Sequence, residues 1–254
     1  IAEKRLLMER NQEHQADVAQ CVYMGLFDGH NGSRCSEFCR ERLHQYINEG
    51  LMTAAASSTG GASGNSPLQD AETFISKIKK IQRAAYKQID NNFLKNIARN
   101  KLARDLSGST AVCALFYGPD PTGELSLFIS HAGDSFAVLS RANSAIRLTR
   151  DHKPSPVCNM AEVTRIKALP SSRIQNCDGC WRVLVETGNG TNNSYMGLAV
   201  SRSLGDLPFK ESGIEYVTGV PEVTHRTIDR EEDQFLLLGS DGVSDVFEDQ
   251  DLVS

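Results

Sequence analysis

Cys21-Val-Tyr-Met-Gly-Leu-Phe27, followed at once by Asp28-Gly29-His30, decides how this chain reads. The apolar run has the length and composition of a β-strand, and Asp-Gly breaks it. A strand end is a rigid platform, and a glycine there lets backbone approach whatever the carboxylate holds. The pattern occurs twice. Gln234–Leu238 is a second apolar strand, and it ends in Gly239-Ser240-Asp241-Gly242. Two carboxylates that converge repel one another unless a cation sits between them. Carboxylate, backbone carbonyl and water are the oxygen ligands that Mg²⁺ and Mn²⁺ prefer. Each Asp-Gly alone is also an ordinary turn, so the reading rests on the duplicate and its surroundings.

Outward from the first strand, Cys35, Phe38, Cys39, Leu43, Tyr46 and Ile47 recur at helical spacing, with Ser33 available as a cap. Residues 51–67 contain TAAASSTGGASGNS and read as a low-complexity surface insertion. Pro67 then opens a second amphipathic helix carrying Phe74, Ile78, Ile81, Ala85, Ile89 and Phe93. From residue 107 the texture changes. Thr110–Tyr117, Glu124–Ser130, Phe136–Ser140 and Ala145–Leu148 are short β-rich runs between turn residues. Pro154–Ser194 reads as irregular apart from a strand near Trp181–Val185. Helices first and many antiparallel-type strands later predict an α+β layered fold.

The chain has 254 residues, enough for one large domain or two small ones, and 27 basic against 32 acidic residues give a net charge of −5. That balance offers no nucleic-acid face, and no run is long and apolar enough to predict a membrane span. Seven cysteines are an odd number without a framework pattern, which predicts a reducing compartment, cytoplasmic or nuclear. Cys35, Cys39 and Cys113 fall on apolar faces, whereas Cys177-Asp-Gly-Cys180 has zinc or redox spacing but no second Cys/His pair. His14, His44 and His225 read as surface residues, His131 as a buried strand-end histidine, and Asp206 as support for the site.

Seven blocks occur in a fixed order: Arg5-Leu-Leu-Met8-Glu9, Phe27-Asp28-Gly29-His30-Asn31-Gly32, Ser107-Gly108-Ser109-Thr110-Ala111, Gly133-Asp134-Ser135, Asp151-His152-Lys153-Pro154, Ser201-Arg202-Ser203-Leu204-Gly205-Asp206 and Ser240-Asp241-Gly242-Val243-Ser244-Asp245-Val246. Together they make the chain resemble the metal-dependent protein serine/threonine phosphatases of the 2C type, the PPM family. The resemblance implies a four-layer sandwich of two antiparallel β-sheets flanked by helices, formed by a single catalytic domain over residues 1–254. It also implies a flap-like segment near 154–195.

The same resemblance assigns roles. It implies hydrolysis of phosphoserine and phosphothreonine in protein substrates by a metal-activated water at a binuclear Mg²⁺ or Mn²⁺ centre. Asp28 would bridge both ions, the Gly29 carbonyl would bind one, and Asp241 and Glu9 would complete the set. Asp134 and Asp245, with Thr110 nearby, match a third, weaker site. Arg5 would grip the substrate phosphate in two-pronged fashion, and His30 would protonate the leaving oxygen. The pattern departs from the family's at Arg10, Asn31, Phe136 and Ser244. The family's last metal-binding Asp is expected beyond Ser254. A cation at Arg10 beside the ligands motivates the alternative, an inactive member that works as a protein-binding module.

Overall fold

A computed structural model describes residues 4–7, 20–56, 67–100, 105–187 and 194–254. The chain starts with β1 (Lys4–Leu7), β2 (Gln20–Leu26) and the short β3 (Gly29–His30). Two long helices follow, α1 (Arg34–Ala56) and α2 (Pro67–Asn100). Next come β4 (Gly108–Ser109), β5 (Ala111–Gly118), β6 (Ser126–Ala132), β7 (Phe136–Arg141) and β8 (Ser144–Arg147). Helix α3 (Met160–Lys167) precedes β9 (Arg173–Cys177), β10 (Cys180–Glu186), β11 (Tyr195–Leu198) and β12 (Leu204–Gly205). The chain closes with β13 (Glu222–Thr227), β14 (Asp233–Gly239) and the single turn α4 (Asp241–Ser244).

One sheet has the antiparallel order β1-β2-β5-β6-β13, and a second has the order β14-β7-β8. They pack face to face. Val112, Ala114, Leu127 and Ile129 of the first meet Ala137, Leu236 and Leu238 of the second. The opposite face of the first sheet, with Cys21, Tyr23, Cys113, Leu115 and Phe128, is covered by α1 and α2. Strand β5 is therefore buried on both faces, which is why Ala111–Phe116 is continuously apolar instead of alternating. Beyond the second sheet, Phe136, Val138 and Leu237 meet Val243, Leu252 and Val253. The result is the expected α+β sandwich of antiparallel sheets, with α1 and α2 on one outer face and the C-terminal turns on the other.

In α1, Cys35, Cys39, Leu43, Ile47 and Leu51 are buried at a spacing of four, so one helical row faces the sheet. The cysteines are buried as apolar residues, as expected. His44 departs from its surface reading, being buried against the Tyr23 ring at 6.2 Å. His225 does too, because it belongs to β13, a strand not evident in the sequence. There it packs on Phe128 at 4.7 Å and hydrogen-bonds Ser126 at 2.9 Å. His14 lies outside the described residues.

Two further expectations need correction. The low-complexity stretch falls partly inside α1, which runs to Ala56 because Thr-Ala-Ala-Ala carries enough helix propensity to extend it. Residues 57–66 lie outside the described ones. The segment after Pro154 is not irregular: Asn159 caps α3 by accepting from the Glu162 N–H, and β9, β10 and β11 form a separate antiparallel sheet. The Cys177/Cys180 spacing has a local cause in that sheet. These residues pair across β9 and β10, and Asp178 (φ 51°) and Gly179 (φ 88°) make a two-residue turn of the kind that matches strand twist.

Candidate metal centre

Three strands of the two packed sheets end on the same rim of the sandwich, and each delivers an aspartate. Asp28 follows β2, Asp134 follows β6, and Asp241 follows β14 as the first residue of α4. The Asp28 backbone is fixed because its carbonyl accepts from the Thr110 N–H at 2.9 Å and from Ser109 Oγ at 3.2 Å. Gly29 lies so close to α1 that a Cβ there would be 2.6 Å from Ser36 Oγ. The turn before Asp134 is equally constrained: Gly133 has φ +109°, and a Cβ would be 2.7 Å from Thr110.

The carboxylates interact. Partial burial raises the Asp28 pKa above the ordinary range, and the charge of and hydrogen bond to Asp241 raise it further. Burial, with Asp241 as a further contributor, lifts Asp134 to about 6 even though Lys153 opposes the shift. Lys153 Nζ lies 3.6 Å from Asp134 and 3.7 Å from Asp151, and Asp241 and Asp245 also act on it. The Asp151-His-Lys-Pro block thus places a cation among the acids.

Such a rim fits divalent cations. Oxygen donors held by rigid strand ends resist ionising together, and a cation between them relieves that repulsion. Asp28 and Asp241 supply the touching pair. Asp134 and Asp245 belong to the same electrostatic cluster through Lys153, with Asp245 exposed one turn after Asp241. Arg5 lies in β1 opposite Val22, and Glu9 and Arg10 lie outside the described residues.

His30 stands beside the acids in a prepared setting. Its Nε2 contacts Asp206 Oδ2 at 2.8 Å and Oδ1 at 2.9 Å. Asp206 is buried, sits at φ +53°, and accepts a hydrogen bond from Ser203 Oγ. Burial alone would lower the His30 pKa, but the bond and charge of Asp206, with the charges of Asp134 and Asp28, raise it overall. Asp206 is in turn fixed from behind. Its neighbour Gly205 donates to buried Asp90, which also pairs with Lys210 at 2.6 Å. No local pattern marks Asp90 or Lys210, because Asp90 acts on the backbone of a distant element and Lys210 acts through Asp90.

A second donor group lies nearby: ligand atoms of His131, His152 and Glu222 fall within 4.8 Å of one another. The rings of His131 and His152 stack at 4.4 Å and 14°, so their in-plane lone pairs run side by side instead of converging on one ion. His131 Nε2 donates to the Arg150 carbonyl at 3.0 Å, and His152 Nδ1 accepts from the Gly133 N–H at 3.3 Å. Those bonds, with His152 Nε2 3.4 Å from the Glu222 carboxylate, make the group a structural tie between β6, β13 and the loop at 150–154.

Comparison with known proteins shows the family. The sequence profile described as protein phosphatase 2C matches residues 2–254. The chain belongs to the protein phosphatase 2C family. It is 33% identical over 225 residues to a probable protein phosphatase 2C of Oryza sativa subsp. japonica, covering 88% of this chain and 48% of that protein. It is 31% identical over 235 residues to protein phosphatase 1B of Bos taurus, covering 91% and 41%. The chain thus spans about half the length of these relatives. Among solved structures, a serine-threonine phosphatase 2C from Toxoplasma gondii superposes with a TM-score of 0.65 at 19% identity, covering 97% of this chain and 79% of that one. A C. elegans sex-determining protein gives the same TM-score at 22% identity, covering 99% and 53%. The protein phosphatase 2C family is metal-dependent. Among the described residues, no helix is long and apolar enough to cross a membrane.

Proposed function

We propose that this chain is a working catalytic unit that hydrolyses phosphoserine and phosphothreonine in proteins at a centre of two Mg²⁺ or Mn²⁺ ions. The observation that carries the reading is the touching pair Asp28 and Asp241, brought together from β2 and β14, each on a strand end of a different sheet. Asp28, the Gly29 carbonyl and Asp241 would hold the ions, and the family resemblance adds Glu9. Asp134 and Asp245 would serve a third, weaker site. When bound, such ions neutralise phosphate charge and supply a nucleophilic water at neutral pH.

The remaining roles belong to side chains. Arg5 would grip two phosphate oxygens, which guanidinium geometry suits. His30, oriented by Asp206, would carry a proton on its ring to the departing serine or threonine oxygen. Lys153, held among the carboxylates, would keep Asp134 ionised.

Hydrolysis of p-nitrophenyl phosphate with Mn²⁺, repeated with chelator, tests this reading. Chelator-sensitive turnover is expected. His30→Ala should slow a phosphothreonine peptide about tenfold or more beyond its effect on the aryl phosphate, whose leaving group needs little protonation. Equal slowing removes the acid role. Absence of turnover at any Mn²⁺ concentration supports the inactive binding module instead.

A further inference from the structure

Outside the aspartate rim, the first half of α1 and the last half of α2 enclose an open groove of 320 Å³. Its charge is unusual for this molecule. Arg42, Lys95 and Arg99 line it, no acidic side chain does, and the chain as a whole carries −5. Among the described residues, none of the three cations makes an ion pair, whereas Arg34 and Arg40 close by on α1 each face a carboxylate.

The floor is amphipathic. Phe38 packs on Phe93 at 5.5 Å, and the Arg42 guanidinium lies over the Phe38 ring at 5.0 Å. That contact holds the guanidinium over the ring, and its N–H groups suit a planar anion. Tyr46 Oη accepts from Asn92 Nδ2 at 2.9 Å, so its own O–H remains free to donate into the groove. Phe38 to Tyr46 spans about 12 Å of helix, the length of roughly four residues of extended chain.

We propose that this groove docks an acidic peptide segment, a short stretch of Asp and Glu on a partner or substrate protein. Carboxylates match the three cations, which have no ion pair among the described residues, and the tyrosine hydroxyl, and the aromatic floor takes the methylenes of Glu side chains. A nucleic acid is the poorer match. Three cations on a molecule of net charge −5 make no stripe along which a long phosphate backbone could lie. The docking site stands apart from the aspartate rim and holds whether or not the catalytic reading does.

Fluorescence anisotropy with a fluorescein-labelled hexaglutamate peptide tests the proposal, with hexaglutamine as the uncharged control. Hexaglutamate should bind at low salt and weaken as salt rises, and hexaglutamine should not bind. The combined Arg42→Glu, Lys95→Glu and Arg99→Glu variant should weaken binding about tenfold or more. Reversing Lys80, Arg83 and Lys87 on the exposed face of α2 should change it by about twofold at most. If the first variant melts early by circular dichroism, the milder Arg42→Gln, Lys95→Gln and Arg99→Gln set replaces it, with the same loss expected. Equal loss in both charge-reversal sets means unspecific attraction and overturns the proposal. So does equal binding of hexaglutamine, or an oligouridylate that binds more tightly and displaces the peptide.

Discussion

Gly108 sits where His30 and Asp206 meet, and a Cβ there would overlap both His30 Nε2 and the Asp206 carboxylate. A side chain has no room there because the His30–Asp206 pair occupies its space. Gly108→Ala should therefore cost about 1–3 kcal/mol of stability through overpacking, read by urea denaturation. Unchanged stability would mean the pair can move aside and that its placement is not tightly held. The same crowding explains what a sequence could and could not reveal at this scale. Asp28 and Asp241 were legible because each follows an apolar strand as Asp-Gly, whereas His30 and Asp134 came from the family resemblance. Asp90 was not, since it reads as one more polar position on a helix, and only the fold brings Gly205 and Lys210 to it.

At the scale of elements, β6, β13 and the loop at 150–154 are tied by two buried imidazoles. Burial, with the neighbouring His152, drives the His131 pKa down to about 3. His152 is also lowered, burial outweighing the raising effect of Glu222 at 3.4 Å. Both rings are therefore neutral in the folded protein, while the unfolded chain takes up protons near pH 6.5. The unfolded state binds more protons below that pH, so stability is full above about 6.5 and falls as the pH drops toward 3. Asp134, lifted to about 6, and His30, also raised, act in the opposite sense over this range. Urea unfolding at pH 7.5, 6 and 5 should therefore show the decline as the difference between wild type and His131→Asn, limited to about 1.4 kcal/mol per pH unit. Parallel pH profiles for the two proteins would show that the ring accepts its proton in place. Strand β13 itself escaped the sequence because Glu-Val-Thr-His-Arg-Thr is mostly polar. It is an edge strand with only Val223 fully buried, so no apolar run marks it. The helix and hairpin after Pro154 were hidden by the turn residues packed between short elements.

Across the whole molecule, two sheets pack so that strands distant in sequence end on one rim. The α+β architecture followed from helical spacing early and apolar runs late, while the layering came from the family resemblance. Which residues share the rim depends on the pairing of β2 with β5 and of β14 with β7, which no local pattern encodes. Convergence of Asp28 and Asp241 is thus a property of the fold, and binding of divalent ions there is the claim on which the catalytic reading stands. Calorimetric titration of Mn²⁺ into the wild-type chain and into Asp28→Asn and Asp241→Asn measures it without relying on turnover. The account predicts saturable binding that weakens about tenfold or more in each variant, with both variants still folded by circular dichroism. Mn²⁺ affinity in either variant equal to that of the wild type would contradict it.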